Sequence, residues 1–210
     1  MIIKKEAEFR LWRFSPVAIL ILLCIIALPN FAAASEPNLV VSQTVDEVIR
    51  VLSDASLTGP AKKKERRLKI RAAITKGFSF EAMAKRAMGK YWKERTPQER
   101  EEFTGLFRRL IEISYISKIE GFTNEKVLYE KARTKKNISV VKTKIVMAKG
   151  TEIPINYRLM RRGDRWFIYD IVIEGVSLVR NYRTQFSSVL RKKSYSTLVE
   201  QIKATIEKSS

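Results

Sequence analysis

Residues 153–173 read IPINYRLMRRGDRWFIYDIVI, two alternating runs separated by Gly163-Asp164. Alternation at a period of two is the mark of a β-strand, and a Gly-Asp pair between two such runs marks a hairpin. Ile153, Ile155, Tyr157 and Leu159 share one face of the first run; Phe167, Tyr169, Ile171 and Ile173 share one face of the second. Cross-strand partners lie on the same face. Matching these two faces calls for an odd-length loop, Arg162-Gly163-Asp164 or one two residues longer. A two-residue turn would instead set Tyr157 opposite Asp170 and Leu159 opposite Ile168, mixing the faces. The hairpin is therefore expected to carry one almost wholly apolar, aromatic face. The other face is mixed: Asn156, Arg158, Met160, Trp166, Ile168 and Asp170.

Working outward, 126–132 and 137–148 also read as strands, the second alternating through Val141, Thr143, Ile145 and Met147, with a turn at Lys149-Gly150-Thr151. Helical spacing governs the rest. Val41, Val45, Val48, Ile49 and Leu52 line one face of a helix over 38–54, and 55–60 is a linker. A strongly basic helix follows, with Lys62, Lys63, Lys64, Arg66, Arg67, Lys69, Arg71 and Lys76 against Glu65, ending at Gly77. Ser79 caps a third helix to about residue 92. Thr96-Pro97-Gln98-Glu99 is a capping box with proline in the first turn, opening a helix to about Gly121. That helix shows Phe103, Leu106, Phe107, Leu110 and Ile113 on one face. Ser177 caps a helix carrying Leu178, Tyr182, Phe186, Val189 and Leu190, and a last helix carries Leu198, Val199, Ile202 and Ile206. Helices, then antiparallel strands, then helices is an α+β order.

The N-terminus is of another kind. Lys4, Lys5, Arg10 and Arg13 precede twelve apolar residues, Val17 to Leu28; Pro29-Asn30 ends them and Phe31-Ala32-Ala33-Ala34-Ser35 follows. A basic start, a short apolar middle and small residues at an A-x-A site form a cleavable secretory signal peptide over 1–34. The apolar run is shorter than the roughly 20 residues a spanning helix needs. Cleavage would leave a single domain over 35–210, ample for one core.

Composition then narrows the chemistry. The chain has no histidine, and its one cysteine, Cys24, lies in the segment to be removed. Cys/His zinc sites and Ser-His-Asp or Cys-His mechanisms are thereby excluded, and no cofactor or metal is expected. Neither phosphate-binding glycine motif occurs. Asp170 and Glu174 are the best-placed carboxylates. Four residues apart on a strand they stand about 13 Å apart, beyond the roughly 5–9 Å of a glycosidase pair. Asp170 is expected to pair with an arginine and Glu174 to face solvent, so no enzymatic activity is expected. The formal net charge is +19, most of it beyond the signal segment. Export turns this charge away from nucleic acid and toward anionic lipid head groups and acidic protein surfaces.

Several segments together resemble the MlaC, or toluene-tolerance, family of periplasmic phospholipid-binding proteins. They are Phe80-Glu81-Ala82-Met83-Ala84 with Met88-Gly89-Lys90-Tyr91-Trp92, then Thr96-Pro97-Gln98-Glu99 with Phe103 and Phe107, then Tyr157-Arg158-Leu159 and Trp166. The longest is the run from Tyr169 to Phe186, YDIVIEGVSLVRNYRTQF. The resemblance implies a curved antiparallel sheet of about four strands wrapped by N- and C-terminal helices, with a lipid cavity between sheet and helices. It implies a monomeric periplasmic carrier of a phospholipid's two acyl chains. Its partners would be the MCE subunit of an inner-membrane ABC transporter and an outer-membrane lipoprotein complex, and its role the maintenance of outer-membrane lipid asymmetry. Tyr157, Leu159, Phe167, Tyr169 and Ile171 are expected to form the sheet wall of that cavity. Leu106, Phe107 and Leu110, with Tyr182 and Phe186, would close it from the helices. A solid-cored envelope scaffold and a carrier of a hopanoid-type lipid remain the alternatives.

Overall fold

Four helix starts are set by hydroxyl side chains that accept the first free backbone N–H groups. Ser79 accepts from Ala82, Thr96 from Glu99, Ser177 from Arg180 and Ser194 from Thr197. At Thr96 the box is reciprocal, since Glu99 accepts the Thr96 N–H at 2.8 Å. In this computed structural model, which describes residues 36–122, 125–148 and 150–209, the helices are α1 (Pro37–Leu52), α2 (Lys63–Gly77), α3 (Phe80–Met88), α4 (Pro97–Glu120), α5 (Leu178–Leu190) and α6 (Tyr195–Lys208). The expected signal peptide, and Lys149 of the expected turn, lie outside the described residues. The third helix stops earlier than its spacing suggests: Gly89 turns to φ +60°, and a 3₁₀ segment continues to Glu94.

The four expected strands are β1 (Lys126–Tyr129), β3 (Ile138–Val146), β4 (Glu152–Arg162) and β5 (Arg165–Ile173). Two shorter ones join them, β2 (Arg133–Lys135) and β6 (Val176–Ser177), both too short for periodicity to reveal. All pairs are antiparallel, in the order β1-β3-β4-β5-β6, with β2 also on β3.

The hairpin corrects the expected loop. Arg162 pairs with Arg165, so the turn is the two residues Gly163-Asp164, with Gly163 at φ +56°. Leu159 then faces Ile168, as such a turn demands. Further along, however, Arg158 faces Asp170 and Tyr157 faces Ile171. The two registers are joined by a β-bulge in which Tyr169 is the extra residue. A bulge moves every later side chain of its strand to the other face. Trp166 and Ile168 therefore join Ile155, Tyr157, Leu159 and Ile171, while Phe167 goes to the face of Met160. The apolar face exists, but half of its β5 members differ from those expected. The Ile168 carbonyl accepts the Ser79 N–H at 2.9 Å and so ties the α2–α3 junction to β5.

The buried apolar residues fall into three groups, the first two bridged by Phe78. One cluster lies between α1 and the sheet, with Val41, Val141, Tyr157, Leu159, Trp166 and Ile168 buried. A second joins α3, α4, α5 and α6 around Met83, Trp92, Phe103, Phe107, Tyr182 and Phe186. A third, smaller one holds Val51, Leu57, Ile70 and Ile116 between α1, α2 and α4. Gly77 permits the close approach of α2 to α1, since a Cβ there would sit 2.2 Å from Thr44 Oγ1.

Candidate functional site

Nine of the ten residues expected to line one cavity divide between the first two of these clusters. Leu106, Phe107, Leu110, Tyr182 and Phe186 do come together. Phe107 meets Tyr182 and Phe186 edge to face at 5.2 and 5.6 Å, and Phe103 completes the group. The Tyr182 hydroxyl donates to Ser114 Oγ at 3.1 Å. Burial holds that phenol above its ordinary ionisation range, with the Ser114 hydrogen bond acting weakly the other way. Tyr169, thrown out by the bulge, packs at the edge of this helical cluster under the Arg86 guanidinium, 4.0 Å from its ring centre.

Tyr157, Leu159 and Ile171 belong instead to the α1–sheet cluster. Burial alone pushes the Tyr157 phenol up to about 12. Phe167 lies in neither cluster core; Arg165 covers its ring at 5.0 Å. Of the sheet half of the expected wall, only Tyr169 reaches the helical cluster, while Tyr157, Leu159 and Ile171 pack with α1.

An apolar cleft of about 60 Å³ opens elsewhere, between α2 and α4. Ile70 and Ile74 line it from α2, and Ile111, Tyr115, Ile116 and Ile119 from α4, with Phe80 at the start of α3. None of the ten expected residues lines this cleft. It lies at a boundary: Ile70 and Ile116 are buried in the third cluster, whereas Phe80, Ile111 and Tyr115 pack against the second. The sequence held a signal for it. Ile111, Tyr115 and Ile119 recur every four residues, a second apolar stripe on α4 beside the one that starts at Phe103.

Ion pairs bridge the two helices along this boundary. Arg66 and Arg67 of α2 both reach Glu120 of α4, at 3.2 and 2.8 Å, and Arg71 of α2 pairs with Glu112 of α4. Arg109 adds a second partner to Glu112 at 3.1 Å. The Arg67 hydrogen bonds, opposed by burial and aided by Arg66, hold the Glu120 carboxyl below its ordinary range.

Asp170 has a structural task. It is 3% exposed and accepts from the Ser177 hydroxyl at 2.7 Å, the Val179 N–H at 3.0 Å and Arg158 Nη1 at 3.2 Å. A carboxylate here complements the positive N-terminal end of α5. Glu174 is exposed, at φ +48° in the turn before β6. Among the described residues no group of three or more Asp, Glu, Cys or His is placed to hold a metal ion, and no helix is long and apolar enough to cross a membrane.

An open antiparallel sheet packed against α1 and against a cluster of four helices defines an α+β fold. The family model for MlaC protein matches residues 42–204. The chain belongs to the MlaC family. It is 26% identical over 129 residues to the intermembrane phospholipid transport system binding protein MlaC of Haemophilus influenzae, covering 59% of this chain and 60% of that one. It is 23% identical over 105 residues to a toluene tolerance protein of Pseudomonas putida, covering 49% of this chain and 48% of that one. The chain thus spans about half to three-fifths of the length of these curated relatives. Its fold matches that of a phospholipid-binding protein of Ralstonia solanacearum, solved in complex with a phospholipid. That match has a TM-score of 0.74 at 22% identity and covers 83% of this chain and 98% of the other.

Proposed function

We propose that this protein is a periplasmic carrier that takes a phospholipid by its two acyl chains and moves it between membrane-bound transport complexes. The observation that carries the reading is the apolar cleft between α2 and α4, left where the helical cluster meets the smaller third one. A solid scaffold would gain most from one continuous core. A carrier needs surfaces that part and then close again. The names of the family relatives and the phospholipid in the Ralstonia protein support the same reading.

Energetics permit the cycle. A buried methylene is worth about 0.8 kcal/mol, so two ordinary chains represent roughly 20 kcal/mol or more in gross transfer. The lipid forfeits a similar amount on leaving a bilayer, so carrier and membrane stand near balance. The cleft of about 60 Å³ is far below the roughly 300–1,000 Å³ of a filled ligand pocket, so loading requires the clusters to separate.

Residues 1–34 are proposed as a cleavable export signal and 35–210 as the working domain. The docking partners proposed are an inner-membrane ABC transporter through its MCE subunit and an outer-membrane lipoprotein complex. The exposed basic residues of α2 suit acidic partner surfaces. No catalytic step is assigned to the protein. Leu106, Phe107, Leu110, Tyr182 and Phe186 are proposed as the helical wall of the opened cavity, with Tyr157, Leu159, Phe167, Tyr169 and Ile171 on the sheet side.

The test is solvent extraction of the purified protein followed by lipid mass spectrometry. A stoichiometric glycerophospholipid is expected. A hopanoid-type lipid in its place would change the ligand class. A protein that is empty and takes up no lipid from vesicles would sink the carrier reading.

A further inference from the structure

From the ion pairs that bridge α2 and α4 above the apolar cleft, we infer that this seam admits the acyl chains of a glycerophospholipid, and that Arg66, Arg67 and Arg71 pass from Glu112 and Glu120 to the lipid phosphate as it opens. This inference rests on the carrier reading and adds a place and a mechanism to it.

The first ground is the shape of the seam. Ile74, Ile111 and Ile119 are only half-buried where they line the cleft, so the slot is held short of full closure. On either side of it lie two clusters that do not merge, the helical one reached through Phe80 and Ile111, and the smaller one reached through Ile70. Chains entering here would widen a boundary that already exists rather than split a continuous core.

The second ground is charge. Five guanidinium groups, Arg66, Arg67, Arg71, Arg108 and Arg109, face two carboxylates, Glu112 and Glu120, around this seam. Such an excess of positive charge around an apolar slot complements an anionic phosphodiester on apolar chains. Guanidinium forks match phosphate oxygens as well as they match carboxylates.

The third ground is that the closed pairing is incomplete. Arg67 takes both oxygens of Glu120, leaving Arg66 a single bond of 3.2 Å to the same group. Arg66 Nε is buried without a hydrogen-bond partner. A donor left so is costly and gains on meeting a new acceptor. The carboxylates close the seam in the empty protein, and the phosphate replaces them in the loaded one, so the arginines are never left uncompensated.

The test uses the purified protein and vesicles of phosphatidylglycerol in phosphatidylcholine. Native mass spectrometry measures bound lipid, and a pyrene-labelled phosphatidylglycerol measures the uptake rate. Glu112→Gln with Glu120→Gln removes the latch charge but keeps the side-chain shape. Uptake is expected to quicken about tenfold, as two sets of charge-assisted bonds are weakened. Replacing Arg66, Arg67 and Arg71 by methionine is expected to abolish the preference of the wild-type protein for phosphatidylglycerol over diacylglycerol. Tyr115→Trp, a conservative change, reports position directly: phosphatidylglycerol with brominated chains should quench its added fluorescence. Wild-type binding of lipid with unchanged rates in the glutamine variant and no quenching at position 115 overturns the seam while leaving the carrier reading intact. Failure of the wild-type protein to take up any lipid overturns both. Inorganic phosphate that slows uptake at millimolar concentration supports the arginine exchange; a preference for phosphatidylglycerol that persists in the methionine variant overturns it.

Discussion

Replacing Asp170 tests whether the run from Tyr169 to Phe186 is held by its buried carboxylate. The group is 3% exposed and accepts from three donors: Arg158 of β4, Ser177 at the N-cap of α5, and the Val179 N–H in the first turn of α5. The Arg158 side chain is 38% exposed, so its share is discounted to about 1 kcal/mol or less. The Ser177 and Val179 bonds are buried and charge-assisted, worth about 1.5–3 kcal/mol each. Asp170→Ala leaves all three donors without this acceptor and should cost about 3–5 kcal/mol. Asp170→Asn turns one acceptor into a donor facing donors and should cost about 2 kcal/mol. With total stabilities of about 5–15 kcal/mol, the alanine variant loses a large fraction of the whole. Its thermal midpoint should fall by on the order of 10 °C in a domain of this size. Urea unfolding followed by circular dichroism measures each value. A double-mutant cycle with Ser177→Ala should show coupling above about 1 kcal/mol, and one with Arg158→Met should show less. If Asp170→Asn lies within about 0.5 kcal/mol of wild type, the carboxylate does not hold α5 and the reasoning fails.

Further outcomes follow from other contacts. Gly77→Ala drives a methyl group onto Thr44 Oγ1 at 2.2 Å and should destabilise by about 1–3 kcal/mol; Thr44→Ala in the same chain should restore part of this in urea unfolding. Glu120, held low by Arg67, contributes stability that is full above the ordinary carboxylate value of 4.5 and is lost as pH falls through its lowered folded value. The gap between wild type and Glu120→Gln, about 1–2 kcal/mol at neutral pH, should therefore shrink on acidification, and a constant gap would contradict the pairing. Tyr157 and Tyr195, pushed up to about 12 mainly by burial, add stability that is full below 10 and lost as pH rises through about 12. Absorbance at alkaline pH should show their phenolates forming together with unfolding. Leu110→Trp overpacks the helical cluster and should lower lipid occupancy by mass spectrometry while the far-ultraviolet dichroism is kept; unchanged occupancy would remove Leu110 from the wall.

Much of the fold was legible because its signals are local. The capping box at Thr96, the hydroxyl caps at Ser79 and Ser177 and the alternation of β3 and β5 each depend on a few neighbouring residues. The hairpin shows where local reading stops. Gly163-Asp164 favoured a two-residue turn and the hydrophobic faces favoured an odd loop; the turn prevails, and the bulge at Tyr169 restores only Ile171 and Ile173 to the expected face. Which residue leaves the ladder depends on what lies across it: Ser79 needs the Ile168 carbonyl, and Arg158 and α5 need Asp170.

The candidate site divides the same way. The sequence by itself determined that the chain has no histidine, that its cysteine lies near the N-terminus, that its charge is strongly positive and that the order of elements is α+β. It also brought Phe107, Tyr182 and Phe186 to one face each, and they do meet. Only the tertiary structure decided that the sheet residues Tyr157 and Leu159 pack under α1, apart from that aromatic group, and that the apolar cleft lies between α2 and α4. The physical reason is that periodicity fixes which face of an element is apolar, whereas the partner of that face is chosen by close approaches distant in sequence. Gly77 against Thr44 sets α2 beside α1, and the arginines of α2 then reach the glutamates of α4, more than forty residues on.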